Sequence, residues 1–415
     1  MSVQDILGFL LSLTAIASYI NYKFIKLPKS IGITLVTLLL TILVNFTGRF
    51  GWEVDTFAES VVYHIGFNDT FLHGMLSFML FAGSLHINTE ELFKNKYIIL
   101  MLATVSVIIS TILIGYGTYG LTRILDIPLP FYYCFVFGAL ISPTDPIAVL
   151  GILKYVGAPK SLEMKIAGEA LFNDGMGIVL FFLALAIANG EQQLLEPAEV
   201  TRYFLQQAGG GILSGVIMGF GAAFFLKSIK DYEVQIILTL ALVTGGYTIV
   251  TSLLDVSGPI CMAMAGLIIG NALRESQMTR DSVQKVYEFW DLLDEVLNAI
   301  LFVLIGLEFM RINFNFSTSI AAMGAIVISV LARWISIFIP ISFMSNFRKF
   351  NPDVLLIMTW GGLRGGISVA LALSLDGPNR DFIVSITYGV VLFSIMVQGL
   401  TIGPLITRMK RKQEA

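Results

Sequence analysis

Long apolar runs separated by short polar breaks fill the chain from one end to the other. A run of roughly 20 apolar residues crosses a hydrocarbon core of about 30 Å as a helix. A helix also satisfies its own backbone hydrogen bonds in lipid. The pattern predicts about thirteen transmembrane helices, near 4–22, 30–47, 69–88, 97–122, 131–153, 165–188, 204–226, 234–254, 257–273, 286–307, 317–343, 354–375 and 382–406. Span ten is the least apolar, because it opens on the charged stretch YEFWDLLDEV. The segment FAESVVYHIGF, 57–67, is too short to cross and is expected at an interface. No strand-length alternation suggests a β-barrel.

Composition agrees with this pattern. Of the 415 residues, 56% are hydrophobic and 13% charged, whereas soluble domains carry about 25% charged residues. The expected class is an all-α integral membrane protein. The first span has lysines after it rather than before it, so it reads as a retained helix and not a secretory signal. Cys134 and Cys261 lie in apolar runs and suggest neither a disulfide frame nor a metal cluster. No soluble domain, nucleic-acid partner or cofactor is expected, and MKRKQEA, within 408–415, reads as a short cytoplasmic tail.

Charge location sets the orientation. With the amino end outside, the loops that fall inside carry 19 of the 26 Lys and Arg residues and those outside carry 5. Basic residues concentrate on the cytoplasmic side, so the carboxyl end is expected inside, in the plasma (inner) membrane of a prokaryote. The remaining two, Arg333 and Arg364, fall within spans.

Two spans carry breaks. Span five contains SPTDP, where Pro143 and Pro146 flank Thr144 and Asp145. Each proline removes a backbone donor and clashes with the preceding turn. Span twelve contains GGLRGG, four glycines around Arg364, each weakening a helix by about 1 kcal/mol relative to Ala. Paired broken helices in corresponding halves of an inverted repeat form ion sites in secondary transporters. Spans five and twelve correspond if spans 1–6 match spans 8–13. Asp145 would then settle exposed amino ends of half-helices and Arg364 exposed carbonyl ends. By contrast, Gly211, Gly215 and Gly219 recur every fourth residue, a spacing that lets helices pack closely.

Span six holds the string GEALFNDGMG, with Glu169, Asn173 and Asp174. Each acid at a helix centre costs roughly 2.5–3.5 kcal/mol on insertion scales. Glu169 and Asn173 lie one turn apart on one face, and Asp174 points about 100° further round. Arg333 is the obvious cation for one of the two acids, and Glu169 is expected in a buried salt bridge. Asp174 is then left without a cation, and an isolated buried carboxylate favours a guest, either a proton or a monovalent cation. Competition for one carboxylate is by itself a mechanism of exchange. His64, His73 and His86 could report pH but read as ordinary surface or interface histidines.

Together SPTDPIAVL, GEALFNDGMG, Arg333 and GGLRGG resemble the monovalent cation:proton antiporters of the NhaP and sodium/proton exchanger type. The resemblance implies an NhaA-like antiporter fold, an inverted repeat with two discontinuous crossing helices. It implies a homodimer in the lipid bilayer, with a dimer or interface domain near 1–92 and 200–310 and a mobile core transport domain near 95–190 and 315–407. It implies that Asp174 binds H+ or the monovalent cation, helped by Asn173 and Thr144, that Glu169 pairs with Arg333, and that Asp145 and Arg364 balance the broken helices. The Asn-Asp pair implies electroneutral exchange. Two departures, Ala170 where relatives carry Ser and Ala82 where they carry an acid, leave Na+, Li+ and K+ open, including a proton-coupled K+ exchanger. Rival classes are a cation channel, for which no filter loop is present, and an intramembrane aspartyl protease using Asp145 and Asp174, whose motifs are absent.

Overall fold

The computed structural model describes residues 3–48, 70–146, 149–151, 153, 160–274, 280–312, 315–345 and 352–414. Segment 57–67, His64 and the side chain of His73 lie outside the description. Within it the chain is helical, and its one extended pairing is a bridge between Asp145 and Leu363. The main helices are α1 (Val3–Ile20), α2 (Lys29–Gly48), α3 (Leu76–Leu85), α4 (Val107–Ile124), α5 (Phe131–Ile141), α6 (Lys160–Ala188) and α7 (Gly210–Ser228). They continue with α8 (Tyr232–Ala241), α9 (Gly258–Arg274), α10 (Arg280–Glu308), α11 (Phe316–Ser345), α12 (Pro352–Trp360), α13 (Gly366–Leu373) and α14 (Arg380–Phe393). Each of the thirteen expected spans holds at least one of them, and span twelve is divided into α12 and α13.

Eight helices among the described residues are long and apolar enough to cross a membrane. Physical causes explain why the others fall short. Helices α3, α5 and α9 are apolar but shorter than 18 residues, and α12 and α13 are two halves of one span. Helix α10 has 29 residues but carries Asp291, Asp294 and Glu295. Several spans bend through wide turns, such as 394–398 beyond α14, before continuing as helix; such bulges often mark functional sites. Apolar side chains such as Leu7, Leu11, Phe220 and Phe224 remain exposed, as they would facing lipid. The protein is an integral membrane protein.

Small residues decide where helices touch. A Cβ on Gly215 would lie 2.5 Å from the Cys261 carbonyl oxygen, and one on Gly219 3.1 Å from the Ala265 Cα. Helix α7 therefore lies backbone to backbone against α9. The same holds for α3, whose Leu85 and Phe81 carbonyls occupy the space beside Gly270 and Gly266 of α9. Trp290 of α10 is fully buried in this group. Its ring lies 4.6 Å from Phe81, and its Nε1 donates to Thr239 Oγ1 at 3.1 Å. A larger apolar cluster is built from α5, α6, α11, α13 and α14 and surrounds the two breaks.

Candidate ion-binding site

The two interrupted spans meet at their breaks. Helix α5 ends at Ile141, just ahead of Pro143 and Pro146. Its last turn is held by Ser142, whose Oγ donates to the Gly138 carbonyl at 2.7 Å and accepts from Thr111 Oγ1 at 3.0 Å. Beyond the break, the Leu150 N–H donates to the Pro146 carbonyl at 2.7 Å. Between these points the Asp145 N–H donates to the Leu363 carbonyl at 2.8 Å. Each broken span thus supplies a partner for the other's freed backbone, which non-helical chain at membrane depth requires.

The glycines of span twelve serve this approach. None of the four has a left-handed φ. A Cβ on Gly362 would lie 2.6 Å from Arg333 Nε and 3.2 Å from Thr144 Cγ2, one on Gly365 would collide with the Asp145 carboxyl, and one on Gly366 with the Leu301 side chain. Weak helix propensity was the expected reason for these glycines; space is the stronger one. On α6, Gly177 admits the Pro143 ring in the same way.

Arg364 is 3% exposed. Its Nη1 donates to the carbonyls of Ser142 at 2.6 Å and Pro143 at 2.9 Å, the end of α5 where peptide dipoles leave partial negative charge. Its backbone N–H donates to Ser394 Oγ at 2.8 Å, and Ser394 donates to Gln398 Oε1 at 2.7 Å. The Asp145 carboxyl lies against Gly365, directly before the amino end of α13.

Helix α6 brings its three polar residues to this crossing. Arg333 Nη1 of α11 donates to Glu169 Oε1 at 2.5 Å, with side chains 5% and 2% exposed. Arg333 Nη2 reaches the Met358 carbonyl at 3.4 Å, and its Nε has no partner among the described residues. One turn on, Asn173 Nδ2 donates to Thr144 Oγ1 at 2.8 Å. That bond leaves Asn173 Oδ1 buried without a hydrogen bond among the described residues. Asp174 is partly exposed and is paired with no cation among the described residues, while Asp145 is near enough to repel it. A carboxylate, an amide oxygen and a hydroxyl are hard oxygen donors, suited to hard cations. A small cavity beside them is lined by Thr144, Glu169, Ala170, Arg333 and Met358 among others.

All seven residues singled out in the sequence lie at or beside the crossing. Sequence inspection passed over Ser142, Ser394 and Gln398, which anchor Arg364 and its neighbouring carbonyls. Ser394 and Gln398 stand at i and i+4 in an apolar run, a signal that was available. The Met358 carbonyl that meets Arg333 leaves no trace in the sequence.

Comparison with known proteins agrees with this architecture. The family profile described as "Sodium/hydrogen exchanger, transmembrane" matches residues 9–408. The Na+/H+ antiporter NhaP of Pseudomonas aeruginosa is 42% identical over 98% of this chain and 96% of its own length. The Na+/H+ antiporter NhaH of Halobacillus dabanensis is 32% identical over 98% and 97%. Among solved structures, the sodium proton antiporter MjNhaP1 of Methanocaldococcus jannaschii superposes with a TM-score of 0.75 at 21% identity, covering 98% of both chains. That likeness shows the fold: an antiporter fold of about thirteen spans. The chain belongs to the sodium/hydrogen exchanger family.

Proposed function

We propose that this protein exchanges Na+ for H+ across the membrane, one cation for one proton, at a single site centred on Asp174. Its relatives NhaP and NhaH, both Na+/H+ antiporters, support the ion pair exchanged. One observation carries the choice of residue. Both buried arginines of the crossing are engaged, Arg333 by Glu169 and Arg364 by the carbonyls of Ser142 and Pro143. Asp174 keeps its charge for a guest. Asn173 Oδ1, held in place by the bond from its amide to Thr144, supplies a second oxygen, and the Thr144 hydroxyl a third. The Glu169–Arg333 pair ties α6 to α11, so the crossing moves as one body. Asp145 and Arg364 neutralise the facing ends of the half-helices.

A proton and Na+ cannot occupy one carboxylate together. An unloaded, charged Asp174 is costly to carry through a dry barrier, so the core crosses only when loaded. That requirement converts competition into exchange. In this scheme the core domain, near 95–190 and 315–407, moves against an interface domain near 1–92 and 200–310 that joins two copies in the bilayer. The amino end lies outside and the carboxyl end in the cytoplasm.

The test is Asp174→Asn in proteoliposomes carrying a pH gradient. The variant should fold, dimerise and lose Na+-dependent proton flux. Full flux in that variant would remove Asp174 from the mechanism, and parallel assays with Li+ and K+ measure selectivity.

A further inference from the structure

The residue after Asp174 is a glycine, and a side chain from another helix fills the space it leaves. A Cβ on Gly175 would collide with the Ile260 side chain of α9. The same side chain lies over Gly211 of α7, where a Cβ would sit 3.1 Å from Ile260 Cβ. Ile260 is therefore seated between two glycines, 4% exposed. Around it Met176 and Val179 of α6 are buried with Ala208, which belongs to the wide turn Leu205–Gly209 ahead of α7. Tyr203 and Phe204 pack half-buried against them. Among the described residues this small apolar cluster stands apart from the two larger ones.

The two sides of this contact are tied to different partners. On one side the start of α9 is fixed to α7. The Ser257 N–H donates to the Gln207 carbonyl at 3.2 Å, Gln207 Nε2 donates to the Asp255 carbonyl at 3.0 Å, and a Cβ on Gly211 would lie 2.7 Å from the Ser257 carbonyl oxygen. On the other side α6 is bound to the crossing, through Glu169 to Arg333, Asn173 to Thr144, and the Pro143 ring seated at Gly177. Gly175 and Gly177 lie about 200° apart around α6, at 100° per residue. One glycine makes room for a ring of the crossing itself, and the other for a side chain of the neighbouring body. The five residues from Gly175 to Val179 are all buried. By the orientation proposed above, α6 runs outward from Lys160, so they lie on the outer side of Asp174.

Resting on the exchange function and orientation proposed above, we infer that Ile260 is the outer gate of the exchange site. Seated on Gly175, it closes the route between Asp174 and the outer face, and it stays with α7 and α9 when α6 moves with the crossing. A β-branched side chain on a helix keeps essentially one rotamer, so the wedge is stiff and opens by parting the helices. An apolar constriction excludes water, and with it a hydrated cation. Gly175 sets the fit: any side chain there would hold the gate ajar.

Val179→Cys places a thiol inside the cluster, and both native cysteines are buried. A membrane-impermeant maleimide added outside right-side-out vesicles should label it slowly. Adding Gly175→Ala sets a methyl against Ile260 only while the gate is shut, and a surplus methyl in a packed contact is costly. External labelling should then rise about tenfold. Without the introduced cysteine, Gly175→Ala should lower half-saturating Na+ at the outer face by a similar factor; everted vesicles should show no such fall at the cytoplasmic face. Ile260→Ala empties the space over Gly175 and should also speed labelling. Combined with Gly175→Ala, whose methyl refills that space, labelling should return toward the native rate. Fast external labelling of Val179→Cys alone overturns the inference. So does a Gly175→Ala variant with unchanged labelling and outer half-saturation, a rise in labelling from the cytoplasmic side instead, or a double variant labelled as fast as the single ones. If Gly175→Ala fails to assemble, Ile260→Ala decides alone, and unchanged labelling overturns the inference. Exchange by the wild type in the same vesicles separates the outcomes: if it is absent, the exchange function itself fails, while labelling still reads the gate.

Discussion

Glu169 and Asp174 are five residues apart on one helix, and their surroundings are opposite. Glu169 is 2% exposed and bonded to an arginine. Asp174 is partly exposed, faces no cation among the described residues and feels a second acid. The helix turns 100° per residue, so five positions carry one acid toward α11 and the other toward the breaks. A buried carboxylate with a permanent cation is a strut. One without such a partner can be loaded and unloaded. What separates the two acids is the neighbourhood, since both side chains end in the same group.

The largest expected effect comes from neutralising the acid without a partner. Asp174→Asn should abolish exchange while leaving thermostability unchanged or raised, because no ion pair is broken. A marked fall in melting temperature would assign Asp174 a structural role like that of Glu169.

Next in size is the opposite acid. Glu169→Ala leaves Arg333 buried and uncompensated, which costs about 3–5 kcal/mol for pairs of this kind. A large drop in thermostability and yield should follow. Replacing both partners, as Glu169→Gln with Arg333→Met, should recover much of it. If the single and double variants melt alike, the pair contributes little to holding α6 against α11.

Acidity sharpens the comparison without mutation. Where proton and Na+ share one site, each shifts the other's affinity reciprocally. As pH falls, protons fill the site, and half-saturating Na+ should climb toward about tenfold per pH unit, the limit for one-for-one competition. As pH rises it should level off, while maximal rate falls for want of protons to return. A half-saturating concentration that stays flat across the pH series would place the two ions on separate groups.

The smallest effect belongs to the neutral ligand. Asn173→Ala removes one amide oxygen and the bond to Thr144, worth about 1 kcal/mol net. Half-saturating Na+ should rise about fivefold with little change in melting temperature. No change in Na+ dependence would leave Asp174 and Thr144 to hold the ion without it.

The chain's own pattern determined the membrane class, the near-complete set of spans and the two places where helices break. These follow from local physics: apolar runs of sufficient length must cross, prolines remove donors, and a charge in such a run requires a partner. Even the different surroundings of the two acids in GEALFNDGMG were readable, because helical periodicity places Glu169 and Asp174 on different faces. Tertiary structure alone decided which groups meet. The Asp145 to Leu363 bond joins residues more than 200 positions apart, and Arg364 finds the Ser142 and Pro143 carbonyls over the same separation. Backbone carbonyls such as that of Met358 have no identity in a sequence, so their roles emerge only once the helices pack. The span-twelve glycines make the same point: composition suggested a weak helix, but packing uses them as space for Arg333, Thr144 and Asp145. Asp294 stood in plain view as one charge in an acidic stretch. That its neighbours Asp291 and Glu295 bond to His86 and Lys29, side chains from distant parts of the chain, became visible only once the helices packed.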